Sequence, residues 1–222
     1  MELRNIVKEV TLDMAANMAS AVRKSFPNAS LVTDRFHVVK LAIDGLQHIR
    51  VKYRWEEIDK ENEMIAECKK QKIIYKPIEL SNGDSPKQLL ARCRYILAKK
   101  PNEWTNNQIK RVALLFELYP LLKTAYHHIL EFRNIYELKN REQARNSFYK
   151  WIDKTNNLKI KLLNTVANTI QNNLYYIINF FDNRHTNANA ESFNSKMKLF
   201  RANLRGVVDT KFFLFRLYKL FA

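Results

Sequence analysis

The sequence predicts an α+β protein that is mostly helical, with one small parallel β-α-β unit near its start. Two short apolar runs, at residues 6–12 and 29–33, have the composition of strands, and each is followed by an aspartate. Between and after these runs, apolar residues recur at helical spacing. The 222 residues include only 3 glycines, which argues against a barrel or sandwich with many tight turns.

The β-α-β unit is predicted from a strand, a helix and a second strand in close succession. Asp13 ends the first strand, residues 14–25 have helical periodicity, and Pro27 stops the helix before the second strand, which Asp34 ends. Because consecutive parallel strands end at the same edge of a sheet, we expect Asp13 and Asp34 at that edge. Each aspartate is equally compatible with a role as the N-cap of the following helix.

The predicted sheet is small. Two strands bury little apolar surface, and parallel pairs normally have further neighbours. This suggests the C-terminal part of a longer fold, or a sheet that another chain completes.

The rest of the chain is predicted to be helical. Trp104 and Trp151 are expected to anchor contacts between helices, and the aromatic run 210–221 is expected to be a helix that packs against the core. The sequence therefore divides into a strand-containing part at 1–35, a helical insertion at 36–180 and a C-terminal part at 181–222. Within the insertion, a loop at 72–86 interrupts helices predicted at 36–71, 86–99, 105–118, 120–138, 141–154 and 157–180.

The charge is strongly positive. There are 38 Lys and Arg residues against 22 Asp and Glu residues, a formal net charge of +16. An excess of this size is typical of proteins with a polyanionic partner. The basic residues are interleaved with aromatic ones, which favours a folded basic surface over a disordered arm.

Several classes of protein are disfavoured by missing motifs. The two cysteines, Cys68 and Cys93, have no metal-binding spacing and are interpreted as reduced thiols. The sequence shows no secretory leader and no apolar run long enough for a membrane span. It also has no zinc pattern, phosphate-binding loop, nucleophile elbow or dinucleotide fingerprint.

The segment 183–206 is the most informative for function. Its single glutamate, Glu191, lies among Asn, Thr and Ser residues, and helical spacing places Asn187, Glu191, Asn194 and Lys198 on one face. A metal-binding carboxylate beside a phosphate backbone would have such neighbours. A solvated helix start, where the helix dipole favours an acid, explains the pattern equally well. The cations that follow Glu191 are Lys196, Lys198, Arg201 and Arg205.

Three acids, Asp13, Asp34 and Glu191, could converge from different elements to hold hard divalent ions. His37, three residues after Asp34, could bond to an active-site acid or contact a phosphate. It could equally be a partly buried histidine that a backbone carbonyl satisfies.

Three blocks of sequence together resemble the ISL3 family of insertion-sequence transposases. They are TLDMAANM, FPNASLVTDRFHVVKLA and HTNANAESFNSKMKLFRANLRG, and the likeness extends from about residue 8 to the end. The resemblance implies a DDE-type catalytic domain with a partial ribonuclease-H-like fold, interrupted by the helical insertion. It implies that the protein cleaves DNA strands at the ends of an insertion sequence and transfers them to target DNA. It also implies a prokaryotic, nucleoid-associated cytoplasmic protein, and it is consistent with a homo-oligomer.

Catalytic roles follow from the resemblance residue by residue. Asp13 matches the second catalytic acid and Glu191 the third, both holding Mg²⁺ or Mn²⁺, while an alternative alignment makes Asp34 the second acid. The family's first aspartate has no match here, which implies a C-terminal fragment or a truncated copy. Asp34, His37, Asn187 and Asn194 become active-site neighbours, and the phosphate-contacting cations become Lys196, Lys198, Arg201 and Arg205.

Three functions thus remain open at this point. The chain is a transposase catalytic fragment, a nucleic-acid-binding helical protein without catalysis, or a helical interaction protein whose charge is incidental. Salt-sensitive DNA binding separates the first two from the third, and metal-dependent cleavage separates the first from the second.

Overall fold

The computed structural model describes residues 2–14, 16–186, 188–204 and 209–221. Most of these residues are helical, and the only strands within the described ranges form one two-stranded parallel sheet. The elements, in chain order, are α1 (Glu2–Asn5), β1 (Glu9–Leu12), α2 (Ala16–Ser25), β2 (Ser30–Thr33), α3 (Arg35–Lys70), α4 (Pro86–Arg92), α5 (Asn106–Leu118), α6 (Pro120–Ile135), α7 (Arg141–Asn157), α8 (Lys161–Ile178), α9 (Phe180–Asn183), α10 (Ala188–Asn203) and α11 (Thr210–Phe221).

The predicted β-α-β unit is confirmed. Strands β1 and β2 pair in parallel with Leu12 opposite Thr33, so the residues that follow them leave the sheet at the same edge. The first strand begins at Glu9 and not at residue 6 as predicted, because pairing with β2 starts only near Lys8, whose carbonyl accepts from the Ser30 amide at 2.8 Å. Asp13 and Asp34 therefore lie at one sheet edge, as expected.

One hydrophobic core joins the sheet to the helices. It runs from Val32 on β2 through α3 to Phe181 on α9, and β2 packs against α8. Helix α3 is the central element and contacts α4, α6 and α8. Gly45 permits its close approach to α8, because a Cβ atom there would lie 2.8 Å from Val166 Cγ2. The proposed division at residues 35 and 180 remains a prediction.

Two of the three tryptophans, Trp151 and Trp104, anchor helix contacts as predicted. Trp151 is 3% exposed, stacks on His128 and donates from its indole nitrogen to the His128 carbonyl at 2.8 Å. Trp104 donates to the Ile96 carbonyl at 2.9 Å and packs against Tyr126. Both side chains bury large apolar surfaces and satisfy their N–H groups.

Helix α4 ends earlier than predicted. The expected run 86–99 is α-helical only to Arg92, and turns follow it. Beyond Arg92 the backbone bonds include tighter i to i−3 turns, such as Arg94 N–H to the Ala91 carbonyl and Lys99 N–H to the Ile96 carbonyl. The carbonyls of this segment also accept side-chain bonds, from Trp104 to Ile96, from Arg133 to Ala98 and from Tyr126 to Lys99. The sequence pattern also missed a short 3₁₀ helix at Pro101–Glu103.

Helix α11 differs from the expectation that it packs its aromatic side chains against the core. Phe212, Phe215 and Tyr218 are more than half exposed, whereas Leu217 is buried. The described contacts of this helix include a stack of Phe213 on Phe200 of α10, with ring centroids 5.7 Å apart. Helices α10 and α11 therefore pack against each other and leave an aromatic face outside.

Candidate active-site cleft

Asp34 is the buried N-cap of α3. The residue is 2% exposed, and its Oδ1 accepts from the Phe36 amide at 3.2 Å, which caps the helix. Its Oδ2 lies 3.3 Å from His37 Nδ1. Both carboxylate oxygens are thus engaged within the protein, as expected for an N-cap residue.

His37 is oriented by this buried carboxylate. Since Nδ1 donates to Asp34, Nε2 is the ring nitrogen available to a ligand. The side chain is 36% exposed and stands edge-to-face against Phe36. The observed partner of His37 is therefore a carboxylate and not the backbone carbonyl that the sequence left open.

A cleft of about 290 Å³ opens where β1 ends beside the first turns of α3. Asp13 is exposed there, on the same cleft as His37. Lys40 and Asp44 also line it and bond to each other at 2.7 Å. Sequence reasoning missed these two residues, although the steps of three and four residues from His37 place them on one helix face. The full lining is Asp13, Met14, His37, Lys40, Leu41 and Asp44.

A second cavity of about 220 Å³ adjoins the sheet on the side of α2 and α8. Asp13 borders both cavities, and Arg23 closes part of the second by lying 5.4 Å over the ring of Tyr176. Asp13 thus sits at the junction of the two cavities.

The structure places Glu191 on helix α10, in its first turns, in agreement with the predicted helix. The side chains of Glu191 and Asn194, and the whole of Asn187 and Arg205, lie outside the described residues. The expected approach of Glu191 to Asp13 therefore remains a prediction. Lys196, Lys198 and Arg201 are exposed on the same helix and are available to a polyanion.

The chemistry of the cleft suits a hard cation in part. Asp13 and Asp44 offer carboxylate oxygens, the ligands that Mg²⁺ and Mn²⁺ prefer. Among the described residues, no group of three or more His, Cys, Asp or Glu side chains is arranged to hold a metal ion. A complete ligand set therefore needs a carboxylate from outside those residues.

Two buried groups with shifted pKa values, His128 and Cys93, are not among the residues that line the cleft. Burial lowers the pKa of His128 to about 4 and raises the pKa of Cys93 to about 11. Cys68 and Cys93 are both free, as predicted. In the described part of the chain, no helix is long and apolar enough to cross a membrane.

The parallel β-α-β unit places an acid at its strand ends, where ligands bind in open α/β sheets, and the strongly basic chain suits a polyanion such as nucleic acid. A comparison with known protein families identifies the family. The model of the DDE-type ISL3 family, described as transposase, matches residues 1–217. The chain therefore belongs to the ISL3 family of transposases. Neither the curated proteins nor the solved structures contain a match to it.

Proposed function

We propose that this chain supplies two metal-holding acids, Asp13 and Glu191, to DDE-type transposition chemistry, that is, divalent-metal-dependent cleavage and strand transfer of DNA. The observation that carries the proposal is the position of Asp13 at the end of β1, in a cleft that it shares with His37. Family membership supports transposition as the overall reaction, with DNA as its substrate.

The geometry favours Asp13 over Asp34 as the second acid. A metal ligand needs an oxygen lone pair that faces the site. Asp34 is 2% exposed and caps α3, so its carboxylate is closed off from a ligand in the cleft. Asp13 is exposed and lines the cleft, so a ligand there can reach its carboxylate. We therefore assign Asp34 the role of holding His37 and the start of α3 in place.

The other residues divide into two roles. In the cleft, His37 Nε2 can contact a phosphate oxygen or accept a proton, and Lys40 adds positive charge close by. On α10, Lys196, Lys198, Arg201 and Arg205 neutralise phosphates, while Asn187 and Asn194 orient Glu191 or contact DNA. Bound metal ions would supply Lewis-acid stabilisation of the attacking and leaving oxygens.

The ribonuclease-H-like fold is also part of the proposal. The three-acid site of that fold takes a further acid from a strand that lies beside β1. Within the described residues, β1 pairs only with β2, so the strand that carries the further acid is not among them. A homo-oligomeric transposition complex would bring such sites together on two DNA ends. The second candidate function is nucleic-acid binding without catalysis, which the charge of +16 supports by itself.

The decisive experiment is nicking of supercoiled DNA in Mg²⁺ or Mn²⁺. We expect weak or no cleavage by the chain alone, because only two of the three family acids have a match, together with DNA binding that weakens as salt rises. Robust cleavage that Glu191→Gln abolishes would show instead that the site is complete. In that case Asp13→Asn should abolish cleavage and Asp34→Asn should retain it, since asparagine is also a good N-cap. Asp59→Asn, an exposed change on α3, is the matched control.

A second chain that supplies the first acid is then added. If the protein binds DNA but still does not cleave it, the result favours the second candidate function, nucleic-acid binding without catalysis. Absence of salt-sensitive binding would contradict both functions.

A further inference from the structure

We infer that residues 179–185 form a rigid corner that sets where helix α10 begins, and that Glu9 and His185 are its positioning pair. Helix α9 and the residues on either side of it make up this corner, which directly precedes the helix that carries Glu191. The inference rests on the proposed function only in naming Glu191 as the acid to be positioned. The contacts themselves come from β1, β2 and the helical body.

The first part of the corner is fixed to β2 and α7. Asn179 is 5% exposed and donates to the Leu31 carbonyl at 2.8 Å. Arg141, at the start of α7, donates to Asn179 Oδ1 at 2.9 Å and to Asp182 Oδ2 at 2.7 Å. Asn179 is buried, so these hydrogen bonds hold the corner against both the sheet and the helical body.

The corner then turns sharply at Arg184. This residue has φ of 59°, the left-handed conformation that ends α9. Its guanidinium donates to the carbonyls of Tyr136 and Leu138 at 2.6 and 2.9 Å. It also lies 5.6 Å over the ring of Phe180. The turn is thus secured by charge-assisted hydrogen bonds to the end of α6.

Glu9, the first residue of β1, receives the last part of the corner. Its two oxygens accept from Asn183 Nδ2 at 2.7 Å and from His185 Nδ1 at 2.8 Å. The Glu9 side chain is 13% exposed, so these bonds are partly shielded from water. The strand that leads to Asp13 is therefore connected to the segment that leads to Glu191.

The connection restricts α10 because little chain follows it. Helix α10 begins at Ala188, three residues after His185, and three residues reach at most about 11 Å. Fixing His185 against Glu9 thus confines the start of α10 to a small region near the sheet. Loss of the His185 bond should leave the fold intact but let α10 move relative to the helical body.

The test is a distance measurement that does not require cleavage. Nitroxide labels are placed at Leu199→Cys on α10 and Tyr149→Cys on α7, both exposed, in a Cys68→Ser background. Pulsed electron–electron double resonance then measures the distance between the two labels in His185→Ala and in His185→Asn. In His185→Asn, the amide nitrogen can take the place of Nδ1 as the donor. Lys154→Ala, which removes an exposed ion pair with Glu131, is the matched control.

We expect His185→Ala to broaden the distance distribution relative to the unmutated chain, because the chain between the anchors at Asn183 and Arg184 and the start of α10 becomes free to move. His185→Asn and the control should superimpose on the unmutated chain, with circular dichroism unchanged in all. An unchanged distribution in His185→Ala, or equal broadening in both His185 variants, would overturn the inference. Because the readout is geometric, failure of the proposed catalysis in the nicking assay would leave this result interpretable.

Discussion

Acidification should destabilise this protein through one buried histidine. His128, on α6, is 2% exposed, and its ring stacks on Trp151 with centroids 4.6 Å apart. Its Nε2 lies 2.6 Å from Thr155 Oγ1, whose own hydroxyl donates to the Trp151 carbonyl. Nε2 therefore carries the proton in the neutral ring. Nδ1 is buried without a hydrogen-bond partner, so it can take a second proton only at a cost.

The size of the effect follows from the pKa of His128. Burial lowers it from 6.5 to about 4, and this outweighs the attraction of Glu131, whose carboxylate lies 3.7 Å from Nδ1. The unfolded chain therefore binds the proton first as the pH falls. The contribution of the neutral ring to stability is present above pH 6.5 and is lost progressively toward pH 4. Between pH 7 and pH 5 the loss should be about 2 kcal/mol.

Urea unfolding at pH 7 and pH 5 measures this loss. His128→Gln keeps a side-chain donor and removes the titration, so the variant should lose about 2 kcal/mol less than the unmutated chain over this interval. His127→Gln, which changes the exposed neighbouring histidine, should behave like the unmutated chain. Equal losses in the unmutated chain and His128→Gln would refute the reasoning.

Three further predictions concern packing and charge. Asp84 is fully buried and forms ion pairs with Arg92 and Arg111. Asp84→Asn should therefore lower the free energy of unfolding, measured in urea titrations, by about 3 kcal/mol. A decrease no larger than that caused by a surface substitution would contradict the role of these ion pairs. Gly45→Val should destabilise by about 1–3 kcal/mol and lower the melting temperature, because its side chain would collide with Val166. Lys198→Gln should reduce the slope of log K against log salt for DNA binding by about 1, whereas an unchanged slope would remove Lys198 from the interface.

Local patterns predicted the elements but not their long-range connections. The apolar runs, the helix-stopping Pro27 and the aspartates after each strand were sufficient for the β-α-β unit, because parallel pairing follows from that order. The bond between Glu9 and His185 joins residues 176 positions apart, and no periodicity encodes it. Asp34 lies between these two cases. An aspartate at this position could be a catalytic acid or a helix N-cap, and only its burial in the structure distinguishes the two roles.

The helical cap at Asp34 has a consequence for motion. The turn that it holds together is the one that carries His37, so the cleft lies at the N-terminal end of a helix of 36 residues. A cap contributes about 1 kcal/mol, so its loss would make opening of that turn about fivefold more frequent. Amide hydrogen exchange at Val38, whose N–H bonds to the Asp34 carbonyl at 3.3 Å, would register that opening while the buried middle of the helix stays protected. The order of the cleft is thus a local equilibrium, which can change while the global stability of the protein does not.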